Sequence, residues 1–440
     1  MNDTSELTPE LLAPAGSPDK LKYALAYGAD AVYAGIPKFS LRARENGFND
    51  ASLKEAISEV HKAGKKIFIT ANILAPNRKV ESFEKSLAYF AEAKPDAFIM
   101  SDPGMIQYSV RNFPDVPVHL SVQANAINWP TVAFWRDQGV RRIILSRELS
   151  LEEISLIHQK VPDIELESFV HGSICIAYSG RCLLSNYFNH RDANQGTCTN
   201  SCRWEYNVYK ENEIDAVAPP PQTPMEGLHY IEETGRPGEL MPVDEDEHGT
   251  YIMNSKDLRA VEFLTELREA GICSFKIEGR SKSIYYLAMV TGVYRRAIED
   301  LMQGRKFDPS LLQEIDKTAN RGFTSAFLIS NSNHHTERFD SAQADGQPQV
   351  FAGRILNSRG GGWIEAEIKN RIETGDTVEY IAPDRRVRFV IEAMENKNGE
   401  SINVAHGGAG SAWIKTNGIE AAPYSLLSLV MQPAESATSV

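Results

Sequence analysis

No run of apolar residues in this chain approaches the roughly 20 needed to cross a bilayer as a helix. The first residues, MNDTSELTPELL, are acidic and polar and lack the apolar core of a secretory leader. These absences lead us to expect a cytoplasmic protein with no membrane partner. A basic surplus is also missing, since the 440 residues carry a formal charge of −13. That excludes a surface that clings to nucleic acid as a whole, while a confined basic site stays possible. No Gly-x-Gly-x-x-Gly follows the first strand-like run, where the loop reads Ala13-Pro14-Ala15-Gly16-Ser17, which weakens dinucleotide binding. His-Glu-x-x-His and Gly-x-Ser-x-Gly are absent too, so no proteolytic constellation stands out.

Cysteine is scarce, with five in the chain, yet four of them, Cys175, Cys182, Cys198 and Cys202, crowd into one stretch. In a reducing compartment such clustering points to metal ligands or redox groups rather than disulfides. Six, fifteen and three residues separate them in turn. Only the last pair has the spacing usual for structural zinc. Iron–sulfur clusters accept looser spacings because their corners point apart. Zinc and a cluster both remain open on spacing alone. The Cys-x-x-x-Cys-x-x-Cys arrangement of radical enzymes is not present. Cys273 stands apart in an apolar run and reads as core.

What fills the first half is a repeat. Short apolar runs at 11–13, 31–34, 66–71, 97–100, 118–122, 142–145, 165–170 and 274–277 read as strands. Helical patterns at 18–27, 51–62, 80–93, 104–112, 129–138, 151–160 and 256–270 lie between them. One phrase recurs ahead of strands: GADAVYAG from Gly28, KPDAFIMSD from Lys94, GVRRIILS from Gly139 and GICSFKIEG from Gly271. Eight such units favour an α/β fold of the closed (β/α)8 TIM-like type over an open doubly wound sheet. We expect this barrel over residues 8–305, with a long cysteine-bearing insertion at 171–250 whose acidic, proline-rich part reads as a lid or disordered segment. A helical linker is expected over 306–344. From about 345 the pattern turns to strand period with glycine turns, predicting a small all-β, β-barrel-like C-terminal domain over 345–435.

If the barrel is right, its C-terminal strand ends form the active face. Arg42, Arg44, Gln123, Asn125, Arg147, Lys276, Glu278 and Arg280 fall at those ends and are candidates for binding substrate. Glu167 and His171 are the nearest acid–base candidates, although a buried salt bridge and a supporting hydrogen bond would explain them equally well. Tyr178 and Trp204, beside the cysteines, are candidate stacking partners for a base.

Glu167, Phe169, Gly172, Ser173, Cys175, Gly180, Cys182 and Ser185 together match the signature of the collagenase-like peptidase family. Longer stretches, ELLAPAG, GADAVYAG, HLSVQANAINW, HGSICIAYSGRCLLS, NQGTCTNSCRWEYNV and KIEGRSKS, resemble that family's bacterial tRNA-hydroxylating branch. The weakest region runs from Lys210 to Pro242. The resemblance implies an iron–sulfur enzyme that hydroxylates carbon 5 of the wobble uridine in the tRNA anticodon, without molecular oxygen and dependent on prephenate. It implies a 4Fe–4S cluster on Cys175, Cys182, Cys198 and Cys202, prephenate as cosubstrate or ligand, and an unidentified electron donor or acceptor. A collagenase-like protease and a non-catalytic iron–sulfur redox or scaffold subunit are the competing functions.

Overall fold

The computed structural model describes residues 8–41, 43, 46–174, 178–179, 181, 229–232, 240–246, 249–251, 256–329 and 349–431. The chain divides into two compact units. One takes residues 1–18, 30–281 and 320–345, the other 19–29, 282–319 and 346–440.

In the first unit all eight expected strands form. They are β1 (Glu10–Pro14), β2 (Ala31–Gly35), β3 (Lys66–Ala71), β4 (Ala97–Met100), β5 (Val118–Leu120), β6 (Arg142–Ile144), β7 (Glu165–Ser173) and β8 (Ile272–Ile277). Each pairs in parallel with the next, and β8 pairs with both β7 and β1, so the sheet closes on itself. Strands such as β2 and β4 are buried at every position, which is why they read as unbroken apolar runs rather than alternating ones. The repeated phrase has a common backbone cause. Gly28, Lys94, Gly139 and Gly271 all take positive φ, at 99°, 53°, 89° and 100°, the left-handed turn that ends a helix and redirects the chain. Lys94 does this without glycine's freedom.

Several of the intervening helices begin with local caps. In α2 (Asp50–Lys62) and α6 (Leu151–Lys160), Asn49 with Ser52 and Ser150 with Glu153 form reciprocal capping boxes. Asp102 caps α4 (Pro103–Asn112), accepting from the Gly104 and Met105 amides, so its place at a strand end has a structural use. α3 (Asn77–Ala91) and α5 (Trp129–Asp137) complete the series. Gly16, just past β1, is needed for close approach: a Cβ there would overlap the Arg280 carbonyl.

Two expectations change. Residues 256–270 are not one helix: Asp257–Arg259 form a strand, and only α7 (Leu264–Glu269) is α-helical. β7 runs on past the barrel, and its exposed edge takes 257–259 as an antiparallel partner; pairing between distant segments overrides the local helical period. The stretch read as a lid or disordered segment also holds structure, since His229–Glu232, Leu240–Asp246 and Gly249–Tyr251 pair as an antiparallel sheet. Phe323–Thr324 adds a short strand beside Asp257–Arg259.

The second unit holds α1 (Pro18–Ala26) from Asp19, α8 (Ile284–Met302), α9 (Ser310–Asp316) and an antiparallel sheet. Its strands include β9 (Gln349–Arg359), β10 (Trp363–Ile368), β11 (Thr377–Ile381), β12 (Arg386–Val390), β13 (Met394–Asn396), β14 (Ser411–Lys415) and β15 (Leu426–Val430). The order is β12-β11-β15-β9-β10-β14-β13, with Ser401–Ile402 at the far edge. Among the described residues the two edges do not pair, so the all-β expectation holds while hydrogen-bonded closure into a barrel does not. Among the described residues no helix is long and apolar enough to cross a membrane.

Candidate active site

Charged side chains occupy the barrel interior, where branched aliphatics usually dominate. Arg142 opens β6 and Glu10 opens β1. In the sheet these strands are separated by β7 and β8, yet Arg142 Nη1 lies 2.7 Å from Glu10 Oε1, so the pair meets across the interior. Arg142 also reaches Glu165 at 2.8 Å and Glu167 at 3.1 Å. Lys276 Nζ donates to the other Glu167 oxygen at 2.7 Å, and Ser274 Oγ donates to Glu10 at 3.1 Å. Glu167 is fully buried and Lys276 nearly so.

Burial pushes the Lys276 ammonium below its ordinary range despite the Glu167 carboxylate beside it. For Arg142 burial acts downward too, but Glu167 and Glu10 more than offset it and hold the guanidinium above its ordinary value. His119 on β5 stacks edge-on against Phe68, with ring centroids 4.7 Å apart. Burial, reinforced by Arg142 and Lys276, drives its imidazole well below the usual histidine range, so it stays neutral. Among the described residues His119 Nδ1 and Thr70 Oγ1 have no hydrogen-bond partner.

Toward the C-terminal ends the side chains change to aromatic and hydrogen-bonding groups. The Lys276 ammonium lies 4.4 Å from the Tyr33 ring centre and 5.4 Å from that of Phe169. Tyr33 donates to the Ile277 carbonyl at 2.9 Å and reaches Glu278 Oε2 at 3.2 Å. Burial and the Glu278 carboxylate raise its phenol well above the ordinary value, leaving a neutral donor. Arg147 lies 4.0 Å over Phe169, and among the described residues it has no carboxylate within ion-pair distance.

The other candidates divide by position. Glu167 is the centre of a buried ion network, not an exposed acid. Lys276 is its partner, closed off from solvent. His171 is buried on β7; its carbonyl accepts from the Glu278 amide at 2.8 Å, and its ring lies 5.5 Å from Phe323. Arg280 donates to the Leu41 carbonyl. Gln123 lies in the 3-10 turn Val122–Ala124 after β5. Asn125, at φ 51°, closes that turn and donates to the Ser179 carbonyl at 2.5 Å, tying the chain beyond β7 to the loop after β5. Tyr178 is half exposed. Arg42, Arg44, Trp204, Cys175, Cys182, Cys198 and Cys202 lie outside the described residues. Sequence reasoning missed Glu10, Tyr33, His119 and Arg142; the available signal was a charged or polar side chain inside an otherwise apolar strand.

The model described as peptidase family U32 matches residues 16–338, and that of the family's C-terminal domain matches 347–428. A protein of Escherichia coli named "tRNA hydroxylation protein P" is 47% identical over 422 residues, covering 92% of this chain and 93% of its own. A Haemophilus influenzae protein of the same name is 47% identical over 427 residues, covering 92% of each chain. The E. coli "23S rRNA 5-hydroxycytidine C2501 synthase" is 28% identical over 402 residues, covering 89% of this chain and 55% of its own.

Two outcomes follow from the interior network. Glu167→Gln leaves Lys276 and Arg142 short of a buried carboxylate and should cost about 3–5 kcal/mol; adding Lys276→Met should restore part of it. Urea unfolding measures both, and an unchanged midpoint for the single variant would refute the network's role. His119 has a folded pKa below its unfolded value near 6.5. Below about pH 6.5 the unfolded chain takes up a proton that the native one refuses, so stability falls with falling pH, approaching about 1.4 kcal/mol per pH unit. His119→Gln should remove this slope, and identical profiles for wild type and variant between pH 5 and 7.5 would count against a buried neutral imidazole.

Proposed function

This chain belongs to peptidase family U32, and on that premise we propose that it is an enzyme that hydroxylates tRNA. The observation carrying the reading is the near full-length likeness to the E. coli protein named for tRNA hydroxylation. The relative named for 5-hydroxycytidine synthesis supports the same class of chemistry, hydroxylation of a pyrimidine in RNA.

In finer detail we propose oxygen-independent, prephenate-dependent hydroxylation at carbon 5 of the wobble uridine, giving 5-hydroxyuridine. Exchanging C5–H for C5–OH withdraws two electrons from the base, so the reaction needs an electron acceptor besides the RNA. Four thiolates are the ligand set a 4Fe–4S cluster takes. Cys175 follows Ser173, the last residue of β7, by two positions in sequence, which supports a cluster near the barrel's active end. On that donor chemistry we assign Cys175, Cys182, Cys198 and Cys202 as cluster ligands; when bound, the cluster supplies one-electron transfer.

The chain's own residues bind and orient. Arg147, over Phe169, offers a guanidinium fork for a carboxylate of prephenate. Tyr33 stays protonated and holds the Glu278 carboxylate. Tyr178 presents a half-exposed ring on which a base could stack. A protease reading lacks its nucleophile, because a cysteine bound to a cluster cannot attack a peptide bond.

Mass spectrometry of tRNA from a strain lacking this gene should show wobble uridine without its 5-hydroxyl or groups built on it, restored by the wild-type gene. Intact modification in the deletion strain would overturn the function. Separately, anaerobically purified protein should carry iron and acid-labile sulfide in near-equal amounts, both lost in Cys175→Ser. Zinc in their place would refute the cluster.

A further inference from the structure

The second unit carries an aromatic and cationic array on the outer face of its sheet. β10 alternates intermediate and buried positions, and β14 does the same. Ile364, Ala366, Ile368, Ala412 and Ile414 face the core, so Trp363 and Trp413 face away from it. Core packing therefore does not account for two of the chain's five tryptophans. Cross-strand register brings them together, with Trp363 opposite Lys415 and Trp413 opposite Glu365 on adjacent strands. The exposed Arg359, at the end of β9, sets its guanidinium 4.8 Å from the Trp363 ring centre and 4.6 Å from that of Trp413. Lys415 Nζ lies 5.6 Å from the Trp363 ring centre.

The surroundings leave this array approachable. Gly360, Gly361 and Gly362 form the turn beside it, and a Cβ on Gly360 would meet nothing within 4 Å. Two carboxylates are engaged locally: Glu395 pairs with Arg359, and Glu365 accepts from Asn357 at 3.0 Å and Ser411 at 2.7 Å. Among the described residues Lys415 has no carboxylate partner. Instead it donates to the Gly361 carbonyl, a bond that a phosphate oxygen can replace.

We infer that the Trp363–Arg359–Trp413 array with Lys415 is a platform for unstacked bases of single-stranded RNA. Indole and guanidinium planes stack on the π-face of any base, and an ammonium at the edge answers the backbone phosphate. Two cations against two carboxylates make the patch neutral on a chain of −13, so stacking carries more of the binding than charge does. The Lys415 ammonium, in ion-pair contact with no carboxylate among the described residues, supplies the local complementarity. The inference rests on the reading of this chain as an RNA-modifying enzyme and adds a contact outside the barrel.

Fluorescence anisotropy of the full chain with fluorescein-labelled oligouridylate tests it. The double variant Trp363→Ala/Trp413→Ala should weaken binding about tenfold or more. Lys415→Glu, on the sheet's outer face, should weaken it several-fold and reduce the salt dependence, with circular dichroism and melting unchanged. Wild-type affinity in Lys415→Glu together with wild-type affinity in the tryptophan double variant would overturn the platform alone. Absence of RNA binding by the wild-type chain would overturn the platform and count against the RNA-modifying reading as well. If RNA binds as inferred but the deletion strain retains its tRNA modification, the platform stands and the function falls.

Discussion

The ion network of Glu10, Arg142, Glu167 and Lys276 is the constraint on which the barrel depends. Desolvating two cations and their carboxylates costs several kcal/mol per ion before any attraction is counted. The geometry offsets this by using both oxygens of Glu167, one for Arg142 and one for Lys276. Arg142 then spans to Glu10 and Glu165. Four strands, β1, β6, β7 and β8, are thereby held in one relative register from inside. A hydrophobic filling could be as stable, but it would hold no fixed pattern of charge beneath the C-terminal end.

That pattern bears on what the active end can do. Lys276 is matched from one side by Glu167 and covered by the Tyr33 and Phe169 rings, so its charge is spent inside the barrel. Arg280 commits a donor to the Leu41 carbonyl. Arg147 is different: its guanidinium rests on Phe169, and among the described residues no carboxylate pairs with it. Of the described basic residues read from the sequence as anion binders, it is the one whose position suits that task. Phe169 links the two levels, with Lys276 and Arg147 both near its ring.

How much of this was legible depended on the range of the interaction. The eight strands could be read because a helix-ending turn and a two-face-buried strand are local properties, carried by residues such as Gly139 and the IIL run after it. The strand at 257–259 could not, because its cause is the free edge of β7, distant in sequence. Side-chain roles were legible only in part: a buried salt bridge was one of the two readings of Glu167, but its partners were not readable. Lys276 is near the expected end of its strand and Glu167 lies within its own, and nothing in either segment says that they face each other at 2.7 Å. Arg142 looked like an ordinary strand start and Glu10 fell just outside the expected first strand, and only closure of the barrel brings them together.

β7 joins the interior ion network to the part of the sequence that carries the clustered cysteines. β7 carries Glu167 in the ion network, Phe169 beneath Arg147, and His171 against the β8 exit, then continues two residues further to Ser173. β7 is thus pinned at three levels, and in sequence Cys175 lies two residues past its end. The Asn125–Ser179 hydrogen bond supplies a second anchor between Cys175 and Cys182, from the loop after β5. On the proposed reading of the cysteines as cluster ligands, electron transfer depends on a fixed distance to the substrate, and β7 with its interior ion pairs is the element that would fix it.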